Sequence, residues 1–383
     1  MRVLFITHYG GFYGANKSLY TLMLLLRERY GVQPTVLLPK EGPMCAQLAR
    51  ACIPYKVSHY YWWVNDNHGV FQWGLNRFKQ IRNRLRVRKL CQLCSGYSPE
   101  LIYTNSVCVN IGVWMSKAMG IPHVWQYREA FGQVGLKLSL STWRSKAIWG
   151  DESTKKHILI SDFMMRYYQQ YLPQDKMVRV YNGVDLPEGV SERMSNSITG
   201  RLKIACIGII SSQKNQMELL RAQEILKDRG VEIETYFFGY AREAYYDQVW
   251  QFIIEHHLEE TAHIVGHTND VFGALREKNL GVVCARDEAF GRTTVEFMLM
   301  HMPVVVSDSG ANAELIRSGE TGAVYPLGSV AKLADAIENY VRHPELLQTQ
   351  GDEAAKVAKR NFSAEKNAEQ IYRVIKSAVN SEK

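Results

Sequence analysis

Residues 279–307 constrain the fold more than any other stretch. An apolar run over 280–285 is long enough for one buried strand, and 303–307, Pro-Val-Val-Val-Ser, reads as the next. Between the two runs stand Glu288 and Glu296, eight positions apart, with an apolar helical segment over 295–300. Strands covered on both faces by helices carry continuous apolar runs rather than alternation. Strand, loop, helix and strand in this order therefore point to a doubly wound parallel sheet. Such sheets bind ligands at the carboxyl ends of their strands, where Glu288 falls.

The chain has 383 residues, too many for one ordinary domain, and predicts two. Strands are expected over 2–7, 34–39, 101–106, 122–125 and 157–161 in the first, with helices over 18–29 and 162–171. In the second they are expected over 202–208, 234–239, 263–267, 280–285, 303–307 and 320–326, with a helix over 329–342. Residues 186–200, rich in Pro, Gly, Ser and Asn, read as a linker between domains over 1–185 and 201–360. A last helix is expected over 361–379. The fold class is α/β, two Rossmann-like doubly wound domains.

Charge divides the halves. Residues 1–185 carry 24 Lys/Arg against 10 Asp/Glu, whereas 186–383 carry 22 against 28. A basic first half suits an anionic partner: phosphate, acidic glycan, nucleic acid or anionic membrane. The basic residues concentrate in 77–89, where seven of 13 are Lys or Arg. Phe78, Ile81 and Leu85 recur there at helical spacing, and Tyr60, Tyr61, Trp62 and Trp63 precede them. One reading is a solvated helix whose apolar stripe packs on the sheet. The other is contact with an anionic membrane, where aromatic and basic amphipathic segments gather. No module that reads nucleic acid is recognisable. No stretch approaches the roughly 20 apolar residues of a membrane helix, and 1–7 reads as a strand rather than a secretory signal. The expected location is the cytoplasm, peripheral to the membrane's inner face if 77–89 binds lipid. Cys91-x-x-Cys94 is the one close pair among seven cysteines. It falls in a helical pattern and reads as structural, and no metal ligand set is expected.

Three further places suit chemistry. Residues 8–17, His-Tyr-Gly-Gly-Phe-Tyr-Gly-Ala-Asn-Lys, lie between the first strand and helix, where backbone N–H groups meet phosphate. Their spacing matches neither Gly-x-Gly-x-x-Gly nor a P-loop, so a plain turn fits equally. Lys214 precedes an amphipathic helix and suits a diphosphate clamp, a point charge beside open N–H groups. Residues 132–150 lack a clear period and read as a mobile loop. Glu288 and Glu296 suit hydrogen bonds to sugar and ribose hydroxyls; spacing alone leaves a glycosidase acid/base pair open.

The unit Glu288-x7-Glu296 with Phe290-Gly291 resembles the signature of the retaining family-four glycosyltransferases (glycosyl transferases group 1), of bacterial polysaccharide type. Supporting matches run through the chain: Gly14-Ala15-Asn16-Lys17-Ser18-Leu19, the strand ending Thr104-Asn105, Asn182-Gly183-Val184-Asp185, and Lys214. Two positions depart from the family's pattern. Arg128-Glu129 stands where many members have His-Asp, and Ile209 stands where they have Arg.

The resemblance implies a GT-B fold, its domains facing a central cleft and its C-terminal helix crossing back to the first. It implies a retaining, metal-independent transferase that moves a hexose-type sugar from a nucleotide-diphosphate donor and needs no cofactor. The acceptor would be a glycan, soluble or lipid-linked, in surface-polysaccharide assembly. Glu288, Lys214 and Arg128 are the catalytic candidates. Gly14, Ala15, Ser212, His267, Phe290, Gly291, Arg292, Thr293 and Glu296 would bind the donor, and Asn105 and Glu129 the acceptor. Arg128 or Arg292 would supply the cation missing at Ile209. A non-catalytic glycan- or nucleotide-sugar-binding protein and a nucleotide-sugar epimerase remain alternatives of the same shape.

Overall fold

The computed structural model describes the chain apart from residues 66–69, 131–136, 139–141, 188, 191–195, 242, 269 and 382–383, and the side chains of 65, 70–76, 137–138, 142–144 and 243. Two compact units form, Met1–Gly183 with Ala364–Lys383, and Val184–Ser363.

Unit 1 contains β1 (Arg2–Ile6), β2 (Gln33–Leu38), β3 (Tyr55–Val57), β4 (Val64–Asn65), β5 (Leu101–Thr104), β6 (His123–Tyr127), β7 (Lys137–Leu138), β8 (Thr154–Leu159) and β9 (Met177–Arg179). Its helices are α1 (Gly14–Tyr30), α2 (Pro43–Arg50), α3 (Val70–Ser95), α4 (Ile111–Met119), α5 (Thr142–Trp149) and α6 (Asp162–Tyr168). The main sheet runs β3-β2-β1-β5-β6-β8-β9, parallel throughout, while β4 and β7 pair apart from it.

Unit 2 contains β10 (Leu202–Ile207), β11 (Ile233–Phe238), β12 (Ala262–Gly266), β13 (Leu280–Val283), β14 (Val304–Ser307) and β15 (Gly322–Tyr325). Between and after them lie α7 (Gln216–Asp228), α8 (Glu243–Glu255), α9 (Val271–Leu275), α10 (Arg292–Leu299), α11 (Asn312–Leu315), α12 (Val330–Arg342) and α13 (Glu345–Phe362). Its sheet runs β12-β11-β10-β13-β14-β15, also parallel. The chain winds outward from β10 in one direction, then returns and winds outward from β13 in the other. The inner strands β13 and β14 are completely buried on both faces, as continuous apolar runs require.

The last helix, α14 (Ala364–Asn380), belongs to unit 1. Ala368, Ile371, Ile375 and Ala378 enter the core with Leu19, Leu22, Met23 and Leu26 of α1, and Tyr372 stacks on Tyr30 at 4.3 Å. Each fully buried Leu or Ile contributes about 1.5–3 kcal/mol over an exposed one, so this seam holds the C-terminal segment firmly.

Four expectations change. First, 361–379 contains the end of one helix and most of another, and α13 was not foreseen. Its buried face mixes Leu347, Val357 and Phe362 with the small Gly351, Ala354, Ala355 and Ala358. The smallness is demanded by packing, because a Cβ on Gly351 would overlap the His301 carbonyl. Second, α1 starts at Gly14 rather than Ser18, so Gly14 and Ala15 form its first turn. Third, two of the four aromatics ahead of the basic helix are core residues. Tyr60 donates to the Thr7 and Leu37 carbonyls, and Trp63 to that of Val107. Satisfied polar tips are what allow these rings inside. Fourth, the apolar stripe of 77–89 does not pack on the sheet. Phe78, Ile81 and Leu85 are 55%, 56% and 77% exposed, while Gln80, Asn83, Val87 and Leu90 face inward. Buried Asn83 pairs its amide with the Tyr61 backbone, which is why a polar side chain can take the inner face.

Within the segment expected as a linker, Asn196 is buried and donates to the Asn279 carbonyl at 2.8 Å, inside unit 2. Of the loop expected over 132–150, residues 137–138 are β7 and 142–149 are α5, while 132–136 and 139–141 lie outside the described residues. Cys91 and Cys94 are unbridged on α3, and burial pushes the Cys94 thiol up to about 12. No helix among the described residues is long and apolar enough to cross a membrane.

Candidate functional site

The reversal of winding in unit 2 falls between β10 and β13, neighbours in the sheet although far apart in sequence. Both strands end at this point, and their carboxyl-terminal loops diverge to opposite sides, leaving a crevice at the sheet's edge. The loop after β10 carries Lys214 and the loop after β13 carries Glu288. Their side chains meet in an ion pair, Lys214 Nζ to Glu288 Oε2, both partly exposed.

Local structure fixes each partner. Gln216 closes the turn before α7: its Nε2 donates to the Ile209 carbonyl at 3.1 Å and its Oε1 accepts from Ser211 N–H at 3.2 Å. Lys214 N–H donates to Ser211 Oγ at 3.4 Å. Asn215, in the left-handed region, then caps α7. Ser212 is exposed on this turn. On the other side, Glu288 O accepts from Ala311 N–H at 2.7 Å, and Asp287 N–H donates to Ser309 Oγ at 2.9 Å. The loop bearing Glu288 is thus tied to the one following β14.

Gly291 caps α10 with a φ of 93°, and a Cβ there would overlap Asn312 Oδ1. Both conformation and space demand glycine. That same Asn312 oxygen accepts from buried Thr294 at 2.7 Å. Phe290 turns its ring inward against Phe362, so what its loop offers a ligand is backbone. Thr293 sits in the first turn of α10, half-buried. Arg292 Nε donates to Glu296 Oε1 at 2.8 Å, one turn apart. This bond engages Arg292 with a carboxylate on its own helix, against its expected use as a replacement phosphate clamp.

His267 follows β12 and stacks on Tyr240, which follows β11, with centroids 4.0 Å apart and planes at 14°. Both are exposed and present a flat aromatic surface. The position expected to carry the family's Arg is Ile209, 44% exposed. A cation that sequence reading missed lies nearby: exposed Arg286 follows β13, and its N–H donates to the Gln213 carbonyl at 2.8 Å, beside Lys214. It stood inside the opening stretch, but nothing in the spacing ties it to 213.

In unit 1 the corresponding reversal falls between β1 and β5. Asn16, from α1, donates to the Tyr9 and Gly11 carbonyls at 3.0 and 2.7 Å. Two donors from one side chain are what an amide supplies and a carboxylate does not. Gly14 opens onto space, with nothing within 4 Å of where its Cβ would be. Asn105, after β5, donates to the Ala15 carbonyl at 3.3 Å and accepts from Arg128 Nε at 2.7 Å. Arg128 is buried and also donates to Asn182 Oδ1 at 2.8 Å and Gln126 Oε1 at 2.9 Å. Its guanidinium therefore organises three side-chain amides of its own unit, which suits a positioning role for this catalytic candidate.

Glu129 accepts from Ser106 Oγ at 2.8 Å, and its Oε1 lies 3.9 Å from His8 Nε2. Burial raises the Glu129 carboxyl, against the pull of Ser106 and Arg128. Burial, helped by the Arg128 charge, lowers His8 to about 3 and keeps its ring neutral. His8, Cys108 and Glu129 bring their ligand-capable atoms within 4.8 Å of one another. Sequence reading found no such group, because three separate segments supply it.

Comparison with known proteins agrees with this layout. Residues 191–357 match the family model described as glycosyl transferases group 1. A lipopolysaccharide core biosynthesis mannosyltransferase of Rhizobium leguminosarum bv. viciae is 26% identical over 287 residues, 70% of this chain and 82% of that one. A putative glycosyltransferase of Bacillus subtilis is 28% identical over 164 residues, 42% of each chain. Among solved structures, Anabaena HepE in complex with UDP superposes with a TM-score of 0.79 at 20% identity, covering 98% of this chain and 100% of that one. The fold is GT-B.

Proposed function

We propose that this chain, which belongs to the glycosyl transferases group 1 family, moves a hexose-type sugar from a nucleotide-diphosphate donor to a glycan in surface-polysaccharide assembly, with retention and without a metal. The observation that carries the reading is the Lys214–Glu288 pair at the reversal point of the unit 2 sheet. Each partner neutralises the other until a donor arrives with a diphosphate for the lysine and hydroxyls for the glutamate. Charge then has to be stabilised on the departing diphosphate. Lys214 supplies a point charge, and the N-termini of α7 and α10 supply oriented N–H groups. Glu296 accepts from the ribose diol, and Arg292 holds it in place. The Tyr240–His267 surface takes the base by stacking. No side-chain nucleophile is assigned; the acceptor hydroxyl attacks on the face the diphosphate leaves, passing its proton to that group.

Relatives named for lipopolysaccharide core and capsular polysaccharide biosynthesis support the pathway, and solved neighbours holding UDP or UDP-glucose make a uridine donor the first to try. The exposed basic face of α3 supports an acceptor carried on an anionic membrane.

The test is release of nucleoside diphosphate from UDP-, GDP- and dTDP-sugars with glycan acceptors, in the presence of a chelator, with the product's anomeric configuration read by NMR. One donor should be consumed in proportion to acceptor, and the product should keep the donor's configuration. Acceptor-independent isomerisation of the donor would replace transfer with epimerisation, and binding without turnover would leave a carrier.

A further inference from the structure

His8 follows β1, Cys108 lies between β5 and α4, and Glu129 follows β6; these three strands are neighbours in the unit 1 sheet. Because the strands run parallel, their carboxyl ends deliver an imidazole, a thiol and a carboxylate to one edge. One ligand-capable atom of each comes within 4.8 Å of the other two.

The surroundings hold all three in place. Glu129 Oε2 accepts from Ser106 Oγ at 2.8 Å and from Val107 N–H at 3.4 Å. Ser106 Oγ in turn accepts from Cys108 N–H at 3.0 Å, and the Cys108 carbonyl accepts from Trp63 N–H at 3.0 Å. Trp62 Nε1 donates to the His8 carbonyl at 2.6 Å, and the Tyr168 hydroxyl to the Glu129 carbonyl at 2.7 Å. Outer bonds of this kind are what orient the ligands of a metal ion.

Glu129 Oε1 is the oxygen left over, and it stands 3.9 Å from His8 Nε2. That is too long for a hydrogen bond. It is close to the separation of two ligands on one ion: with bonds of about 2.0–2.3 Å in tetrahedral geometry, ligand atoms lie about 3.3–3.6 Å apart. Small side-chain rotations close the difference. His8 is buried, and its Nδ1 has no hydrogen-bond partner among the described residues. A buried polar ring in this condition asks for an explanation, and a coordinated ion is one. The donor set narrows the ion. One nitrogen, one sulfur and one oxygen suit zinc, whereas magnesium and calcium need several oxygens. Thiolate and carboxylate together cancel a divalent charge, which matters because the Arg128 charge reaches His8.

We propose that His8, Cys108 and Glu129 bind a zinc-type divalent cation, the Cys108 thiol giving up its proton and a water taking the fourth position. The Glu129 side chain is 22% exposed and gives the ion its way in. The assignment is separate from sugar transfer, for which no metal is invoked.

The experiment adds cobalt(II), a spectroscopically visible substitute for zinc, to the full chain, reduced and freed of metal by a chelator that is then removed. Saturable thiolate-to-cobalt charge-transfer absorption and the intense visible bands of four-coordinate cobalt are expected, both discharged by zinc. Their absence overturns the proposal. Cys108→Ser should abolish the charge-transfer absorption, and Glu129→Gln should weaken cobalt binding more than about tenfold. Cys52 is the exposed thiol of the seven, so Cys52→Ser should leave the absorption unchanged. Absorption that persists in Cys108→Ser, or is lost in Cys52→Ser, marks an adventitious surface site and overturns the assignment. X-ray absorption at the zinc edge reads the ligands in the unaltered chain, so a variant that fails to fold leaves the test intact. A single sulfur with nitrogen and oxygen neighbours is expected, and a shell without sulfur overturns the proposal.

Discussion

The two units share one winding pattern and use its reversal point differently. In unit 2 the strands flanking the reversal, β10 and β13, bring a lysine and a glutamate into contact, and a second pair, Arg292 and Glu296, follows on α10. In unit 1 the corresponding place holds amides: Asn16, Asn105, Gln126 and Asn182, the last three on one buried arginine. The nearby histidine is neutral. Charged, partly exposed pairs can exchange partners when a phosphate or hydroxyl arrives. A buried amide network gathered on one arginine cannot do so without breaking buried bonds. The same topology thus yields a grip in one unit and a rigid frame in the other.

Acid should separate the units most. Among the described residues, His8, His123 and His157 are the buried histidines, and all lie in unit 1. Burial lowers each from the usual 6.5 to about 3, with Arg128 adding to the effect at His8, His157 at His123 and Lys176 at His157. Between those values the unfolded chain takes up protons that the folded chain refuses. Stability is therefore full above about pH 6.5 and falls as pH drops toward 3, with a slope of up to three protons. Seven of the eight tryptophans lie before residue 150, so their fluorescence reports unit 1. Urea midpoints followed by tryptophan should fall faster on acidification than those of a probe placed in unit 2. Parallel decline would mean that these histidines do not set the difference.

Lys214→Ala tests the grip. Turnover should drop about 10²–10³-fold, the usual cost of removing one preorganised charge-stabilising group, with melting nearly unchanged. Full turnover would move the leaving-group site elsewhere.

Arg128→Met tests the frame. Leaving Asn105, Asn182 and Gln126 without their common donor should cost about 2–3 kcal/mol of unfolding free energy, measured by urea denaturation. An unchanged midpoint would show that the network contributes nothing to stability.

Glu296→Gln should have the smallest effect, raising the donor's dissociation constant about tenfold through loss of a charge-assisted bond, as calorimetry would read it. A larger loss in turnover than in binding would place Glu296 nearer the reacting sugar than the ribose.

Much of the fold was legible because strands buried on both faces need long apolar runs, and such runs survive any reading frame. Segment ends were less so: α1 begins four residues early because Asn16 bonds back to the loop, a contact invisible to periodicity. Helix α13 went unread although Leu347, Val357 and Phe362 mark its buried face; the small residues between them have their reason in packing, as where a Cβ on Gly351 would meet the His301 carbonyl. The stripe on α3 shows the opposite error. Helical spacing of Phe78, Ile81 and Leu85 reveals a face but not whether another element covers it. At the site, Glu288, Glu296 and Lys214 stood out through a pattern in the residues themselves. Arg286 and His8 did not, since their relevance comes from neighbours over seventy or a hundred positions away.

The sequence by itself determined the chemistry available: two acids eight apart, a lysine before a helix, a basic first half and the alternation of strands and helices. These are local properties, set by residue type and spacing. Only the tertiary structure decided which groups meet. Lys214 pairs with Glu288, and Arg128 gathers its three amides, because parallel strands distant in the chain become neighbours in a sheet. Pairing and burial depend on packing across the fold, and spacing along the chain carries no record of either.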